Sequence, residues 1–247
     1  MALVLFGTAF GYVEAAVVVY LRASYEPLHQ RLYPDRPAND LFPIIRLDQL
    51  REAGPDCRQR LYIELGREAA TLVMLAAVAL AVARNLREWL AAFMIAFGIW
   101  DILFYAFLRL QMSWPASLFE WDLLFLLPAP WVGPVLAPLI VAISMIAAGV
   151  AIFWRESGGR PIRMVGCHWA AMVSSGVLIV LAFCWDCSNI LAGGSPNPFN
   201  WPLFLTGVLL GVVSFMHAQR NRVNVRQPFA PRHEYDQGIP FSMSKNF

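Results

Sequence analysis

Charge in general, and lysine in particular, is scarce in this chain. Charged residues make up 15% of its 247 residues, and Lys245 is the single lysine, whereas about a quarter of the residues are charged in a typical soluble domain. The formal net charge of +2 is too small to indicate a protein that binds nucleic acid. Hydrophobic residues make up 58% of the chain and occur in long runs. We therefore predict a membrane protein that crosses the bilayer several times and contacts lipid.

The sequence also lacks the motifs of common enzyme classes. It contains no phosphate-binding glycine loop, no His-Glu-x-x-His and no Gly-x-Ser-x-Gly. A dinuclear carboxylate centre needs Glu-x-x-His motifs on core helices, and the predicted spans contain none. Four cysteines are too few for a disulfide framework. We predict no catalytic residue and no metal site.

Six apolar runs of roughly 20 residues predict an all-α bundle of six transmembrane helices. The stretch from Trp121 to Trp154 is too long for one straight helix, because it would reach roughly 50 Å across a ~30 Å hydrocarbon core. Four prolines between Pro128 and Pro138 predict a break, preceded by a short interfacial or re-entrant helix over Ser117–Leu127. The predicted spans are Ala2–Leu21, Leu61–Ala83, Trp89–Leu110, Trp131–Trp154, Met164–Trp185 and Pro202–His217.

Arginines beside the spans predict the orientation. The loops around residues 84–87 and 155–163 and the start of the tail carry arginine, and they share one side only if both termini are cytoplasmic. The outer loop 23–60 is the exception, although its carboxylates nearly neutralise its arginines. We thus predict a transmembrane domain over residues 1–219 and an extended cytoplasmic tail over 220–247. The tail composition favours disorder, but its arginines and aromatic residues also fit a docked strip.

Acidic side chains inside the apolar runs are the most informative feature of the sequence. A carboxylate at bilayer depth is costly to insert, so by default it indicates a functional site or a specific partner. Glu14 and Asp101 each lie about 18 Å into their spans from the cytoplasmic side, and Glu68 lies at about 20 Å. We therefore expect carboxylates from three helices to meet at one level in the outer half of the bilayer.

Nearby basic and hydroxyl groups are candidate partners for these carboxylates. Arg67 follows Glu64 by one helical turn and can reach it, and Tyr105 stands one turn after Asp101 as a hydrogen-bond donor. The cluster is interpreted either as a proton, ion or ligand site, or as a buried polar contact that fixes helix register. The predicted site residues are Glu14, Glu64, Arg67, Glu68, Asp101, Tyr105 and Arg109.

Two stripes of small residues predict close helix packing. Gly7, Gly11 and Ala15 recur every four residues in the first span, and Gly207 and Gly211 do so in the last. Because Glu14 borders the first stripe, we expect it to face protein rather than lipid.

Two weaker signals lie near the ends of the fifth and sixth spans. Cys184 and Cys187 form a C-x-x-C motif, for which a disulfide or simple packing is favoured over redox catalysis because a second cysteine pair is missing. His168 and His217 lie at the inner ends of these spans. A bis-histidine haem or a metal is disfavoured there against hydrogen-bonded interfacial histidines.

Four segments together resemble a family of uncharacterised bacterial multi-pass membrane proteins. The resemblance spans most of the six helices but not the tail. It implies a bacterial inner-membrane protein and implies no activity. The segments are Phe10–Arg22, Glu64–Leu75, Trp121–Pro138 and Asn197–Leu203.

Three functional hypotheses follow from these patterns. The first is an auxiliary, non-catalytic subunit of a larger inner-membrane complex, such as a photosynthetic or respiratory one, that docks through helix faces and the tail. The second is a small proton- or ion-coupled transporter or ligand-binding protein that uses the intramembrane carboxylates. The third is a membrane thiol oxidoreductase. Lipid, quinone or pigment would suit the aromatic surface, but no motif identifies a cofactor.

Overall fold

Six helices of the computed structural model are long and apolar enough to cross a membrane, which confirms the predicted all-α polytopic fold. The structure describes residues 1–37, 40–160, 162 and 164–220, so the predicted tail lies almost wholly outside the described residues. Short helices and one β-hairpin connect the long helices. The elements are α1 Ala2–Leu32, α2 Leu47–Glu52, α3 Pro55–Val82, α4 Leu86–Met112, β1 Trp121–Phe125, β2 Trp131–Pro134, α5 Leu136–Ser157, α6 Gly166–Phe183, α7 Cys187–Leu191 and α8 Trp201–Arg220.

Helices α1 and α3 are longer than the predicted spans. With 31 and 28 residues, they reach over 40 Å, roughly, against a ~30 Å hydrocarbon core. Both therefore extend beyond the bilayer, and much of the predicted outer loop 23–60 is helical. The segment between them, including α2, forms a cap over this end of the bundle. Phe42 of the cap packs with Val132 of β2 and Ile190 of α7.

The predicted interfacial helix over Ser117–Leu127 is wrong, because β1 pairs with β2 there as an antiparallel hairpin. Asp122 lies opposite Gly133 in the register. A short buried strand and a helix segment both read as an apolar run, so periodicity alone does not separate them. The fourth membrane helix consequently starts at Leu136 rather than Trp131. We call the end of the bundle that carries β1 and β2 the hairpin end.

Helix α4 is central: α1, α3 and α5 all pack against it, whereas α6 and α8 pair with each other. Strand β2 and helix α5 connect that pair to the rest. The predicted small-residue packing is confirmed in both places. A Cβ at Gly11 would lie 3.1 Å from the Trp100 carbonyl oxygen on α4, and one at Gly207 would lie 3.1 Å from the Ile179 backbone nitrogen on α6.

Candidate functional site

A charged cavity of about 140 Å³ lies between α1, α3, α4 and β1. Helices α1 and α3 both pack on α4, but their backbones stay apart, and polar side chains occupy the gap between them. Five carboxylates and two arginines line this space. They are Glu14, Glu64, Glu68, Asp101 and Asp122, with Arg22 and Arg67.

Arg67 is shared between two carboxylates and joins α3 to α1. Its Nε donates to both carboxylate oxygens of Glu64 at 3.0 and 2.9 Å, and its Nη1 donates to Glu14. The Thr71 hydroxyl lies 3.1 Å from the other Glu14 oxygen. Glu14 and Glu64 are both buried, so the single guanidinium of Arg67 offsets the charge of two buried carboxylates.

Asp122 brings the hairpin into the same cavity. The Tyr105 hydroxyl donates to its Oδ2 at 2.8 Å, and Arg22 Nη2 lies 3.6 Å from its Oδ1. The Arg22 guanidinium also stacks over the Trp114 ring, 3.9 Å from the centroid, where the negative face of the ring favours a cation. Burial raises the pKa of Asp122, although Arg22 and the Tyr105 hydrogen bond oppose that rise.

Glu68 attaches the hairpin to α3. Both of its carboxylate oxygens lie 3.0 Å from the Leu126 backbone N–H, which follows β1 directly. Together with the Asp122 contacts, this bond ties the hairpin to α1, α3 and α4. The hairpin therefore closes the cavity at its own end of the bundle.

Asp101 differs from the other four carboxylates. It is 7% exposed, its Oδ2 is buried without a hydrogen-bond partner, and it forms no ion pair with any described residue. Trp100 Nε1 and Arg22 Nη1 are buried polar atoms in the same surroundings that also lack a partner in the described part of the chain. An unsatisfied buried polar group costs about 1–3 kcal/mol, and more when it is charged. Such groups around one cavity are what a bound ligand or ion would satisfy.

The structure brings six of the seven predicted site residues together and leaves one out. Arg109 is exposed and donates to the backbone oxygens of Ser113 and Pro115 instead. The acceptor of the Tyr105 hydroxyl is Asp122, not Asp101 as predicted. The six around the cavity are Glu14, Glu64, Arg67, Glu68, Asp101 and Tyr105; their binding role stays a prediction.

Three cavity residues that pair with the predicted ones or line the cavity with a charge or hydroxyl group were not predicted from the sequence. Asp122 was assigned to an interfacial helix, and Arg22 to the start of the outer loop, so neither was placed beside the intramembrane carboxylates. Thr71 had a usable signal, since it continues the helical face of Glu64 and Glu68 at the spacing of buried α3 residues.

The cysteine and histidine pairs form no comparable site. All four cysteines are free thiols, and Cys184 and Cys187 contact each other through their backbones, N–H to carbonyl at 3.1 Å. His168 Nε2 lies 2.8 Å from His217 Nδ1, which leaves no room for a haem iron between the rings. In the described ranges no group of three or more His, Cys, Asp or Glu residues is placed to hold a metal ion.

Comparisons with known proteins identify no relative: no protein-family model matches the sequence, and neither a curated protein nor a solved structure matches the chain. The resemblance to a bacterial inner-membrane family therefore stays a prediction. Any functional argument has to come from the cavity itself.

Proposed function

We propose that the protein is a small transporter-type membrane protein that binds a cation, or the cationic group of a ligand, in the charged cavity. The observation that carries the proposal is Asp101, a buried carboxylate whose Oδ2 lacks a hydrogen bond and which has no ion pair among the described residues. The cavity wall carries five carboxylates, Asp101 among them, against two arginines. A cation or N–H donor bound here would form charge-assisted hydrogen bonds with the Asp101 carboxylate.

The arrangement of the other charges supports the same reading. Arg67 is occupied by Glu14 and Glu64, and Arg22 by Asp122 and the Trp114 ring. Both guanidinium groups already face a carboxylate, and neither forms an ion pair with Asp101, although Arg22 Nη1 has no partner among the described residues. The pairs that already exist hold the walls in place, and Asp101 is left for a ligand. Acids inside membrane helices mark ion, proton or substrate pathways by default.

The location proposed for this activity is a bacterial inner membrane, with both termini cytoplasmic and the hairpin end outside. The arginine distribution supports this orientation, because the loops around residues 84–87 and 155–163 lie at the end opposite the hairpin. A ligand would then enter from the outer side.

The auxiliary-subunit hypothesis has less support than the sequence alone gave it. Both small-residue faces, at Gly7 and Gly11 and at Gly207 and Gly211, pack within the protein rather than against a partner. The tail, its other motivation, lies outside the described residues. Co-migration with stoichiometric partners in mild detergent would restore it. The thiol oxidoreductase hypothesis still lacks a second cysteine pair.

The proposal is tested by charge displacement in proteoliposomes on a solid-supported membrane. Rapid jumps in methylammonium chloride or sodium chloride concentration should produce saturable transient currents in the wild type. Asp101→Asn should reduce them at least tenfold, because the amide keeps the shape and removes the charge. Asp48→Asn is the matched control, since it removes an exposed carboxylate on α2 that does not line the charged cavity. The proposal would be contradicted if the wild-type protein gave no currents, or if the Asp101→Asn variant gave wild-type currents.

A further inference from the structure

A second, larger cavity adjoins the charged one at the hairpin end. Its volume is about 460 Å³, within the range of about 300–1,000 Å³ typical of small-molecule sites. The cap, α1 and the start of α3 form most of its wall. Apolar side chains form most of its wall, among them Leu41, Ile44, Ile45, Leu50 and Leu61.

The polar groups at this second cavity are largely occupied by the protein. Arg36 Nη2 pairs with both carboxylate oxygens of Glu26 at 2.6 and 2.7 Å. His29 Nε2 lies 2.7 Å from the Pro43 carbonyl oxygen. Arg36 Nε is a buried donor without a partner among the described residues, and it can serve a neutral acceptor. The second cavity therefore offers a ligand mainly apolar surface.

The two cavities share a wall. Leu21, Arg22, Glu64 and Leu126 line both of them. A single molecule can therefore extend from the apolar cavity into the charged one. The charged cavity is close in size to an engineered cavity that holds benzene, so it admits a small head group rather than a whole ligand.

We infer that the ligand is an amphipathic organic cation, with its amine head at Asp101 in the charged cavity and its apolar body in the cavity under the cap. This inference rests on the proposed function and adds the substrate class to it. The sign of the head follows from the excess of carboxylates around Asp101. The apolar body follows from the wall of the second cavity.

An anionic head group does not fit this geometry. It would face an unpaired Asp101, and the unpartnered arginine nitrogen there, Arg22 Nη1, belongs to a guanidinium whose charge Asp122 already offsets. A neutral alcohol would satisfy Oδ2 of Asp101 with one hydrogen bond but would leave the charge uncompensated. The three head groups should therefore differ in affinity on an identical apolar body.

The test is calorimetric titration of the protein in lipid nanodiscs with four probes, with empty nanodiscs as the reference for partitioning. The probes are 4-phenylbutylamine, 4-phenylbutanol, 4-phenylbutyrate and methylammonium. We expect 4-phenylbutylamine to bind saturably and at least tenfold more tightly than each of the others. Ile45→Trp should fill the apolar cavity and weaken 4-phenylbutylamine about tenfold while methylammonium binding stays unchanged. Ile143→Trp, on the exposed face of α5, is the matched control.

Each outcome bears on one of the two claims. If methylammonium binds through Asp101 but the phenylbutyl body adds no affinity, or Ile45→Trp has no effect, this inference is overturned and the proposed function stands. Equal or tighter binding of the alcohol or the acid overturns the assignment of a cationic ligand. If neither cation binds, or if Asp101→Asn leaves both affinities unchanged, the proposed function fails and the inference fails with it.

Discussion

The α1–α3–α4 half of the bundle and the α6–α8 pair solve the same packing problem with different results. Both use glycine to bring helices close. In the α6–α8 pair the buried polar side chains find partners on the neighbouring helix: Ser175 donates to the Gly207 carbonyl at 2.7 Å, and His168 bonds to His217. Around α4, by contrast, buried polar atoms of Asp101 and Trp100 lack partners among the described residues.

This difference distinguishes polar contacts that hold helices together from polar groups that are left for a ligand. A polar contact that merely fixes helix register needs each partner to satisfy the other, and the α6–α8 pair does this. A ligand site has to leave groups unsatisfied until the ligand arrives, at a cost in stability. The α1–α3–α4 half bears that cost, which is why we propose the binding site there.

The largest effect is expected from removing the arginine that holds α1 to α3. Arg67→Leu leaves Glu14 and Glu64 buried without a counter-charge, so we expect the free energy of unfolding to fall by about 3–5 kcal/mol. Titration with SDS in mixed micelles measures it. Arg87→Leu, which breaks the exposed pair with Glu156, is the control and should cost at most about 1 kcal/mol. Equal effects of the two variants would show that the buried carboxylates are protonated and that Arg67 does not hold the two helices together.

A glycine-to-alanine substitution at a close helix contact should reduce stability equally in both halves. Only the substitution in the α1–α3–α4 half should also weaken ligand binding. Gly11→Ala and Gly207→Ala place a Cβ within about 3 Å of neighbouring atoms, so each should lower the free energy of unfolding by about 1–3 kcal/mol. Gly11→Ala pushes on the α4 backbone at Trp100 and should also weaken 4-phenylbutylamine binding severalfold. Gly207→Ala should leave the affinity unchanged.

Gly66→Ala on α3 is the control for these glycine variants, because nothing lies within 4 Å of its added Cβ. Since alanine favours helix over glycine by about 1 kcal/mol, this variant should be neutral or stabilising. A loss of affinity in Gly207→Ala as large as in Gly11→Ala would mean that the two halves are coupled. That outcome would contradict a binding site confined to the α1–α3–α4 half.

The intramembrane carboxylates of the site could be predicted from the sequence. A carboxylate in an apolar run stands out, and helix rise places it at a depth, so Glu14, Glu68 and Asp101 were expected at one level. The hairpin could not be predicted, because the hydrophobic periodicity of the apolar run that begins at Trp121 does not distinguish a strand from a helix. Asp122 was missed for that reason, and Arg22 was missed because the first span was predicted to end at Leu21. Arg109 was chosen for its charge and depth, but the direction of its side chain depends on the α4 termination at Ser113.

The affinity should also depend on pH. Cations and protons compete for the same carboxylates, so the affinity for 4-phenylbutylamine should fall as the pH falls. Because burial raises the pKa of Asp122, the loss of affinity should begin at a pH above the ordinary pKa of an aspartate. Below that onset the affinity should fall by up to tenfold per pH unit. Titrations between pH 8 and pH 5 measure it, and Asp122→Asn should move the onset to lower pH. A flat affinity over this range would remove the carboxylates from the binding site.

The smallest effect is expected at the histidine pair. The Val165 N–H donates to His168 Nδ1 at 3.2 Å, so His168 carries its proton on Nε2 and donates to His217 Nδ1. His217→Ala removes one interhelical bond of a kind that averages about 0.6 kcal/mol in membrane proteins. We expect a loss of that size in the free energy of unfolding and wild-type affinity for 4-phenylbutylamine. A large loss of affinity here would show that the α6–α8 pair takes part in binding, and it would end the division of the bundle into a structural and a binding half.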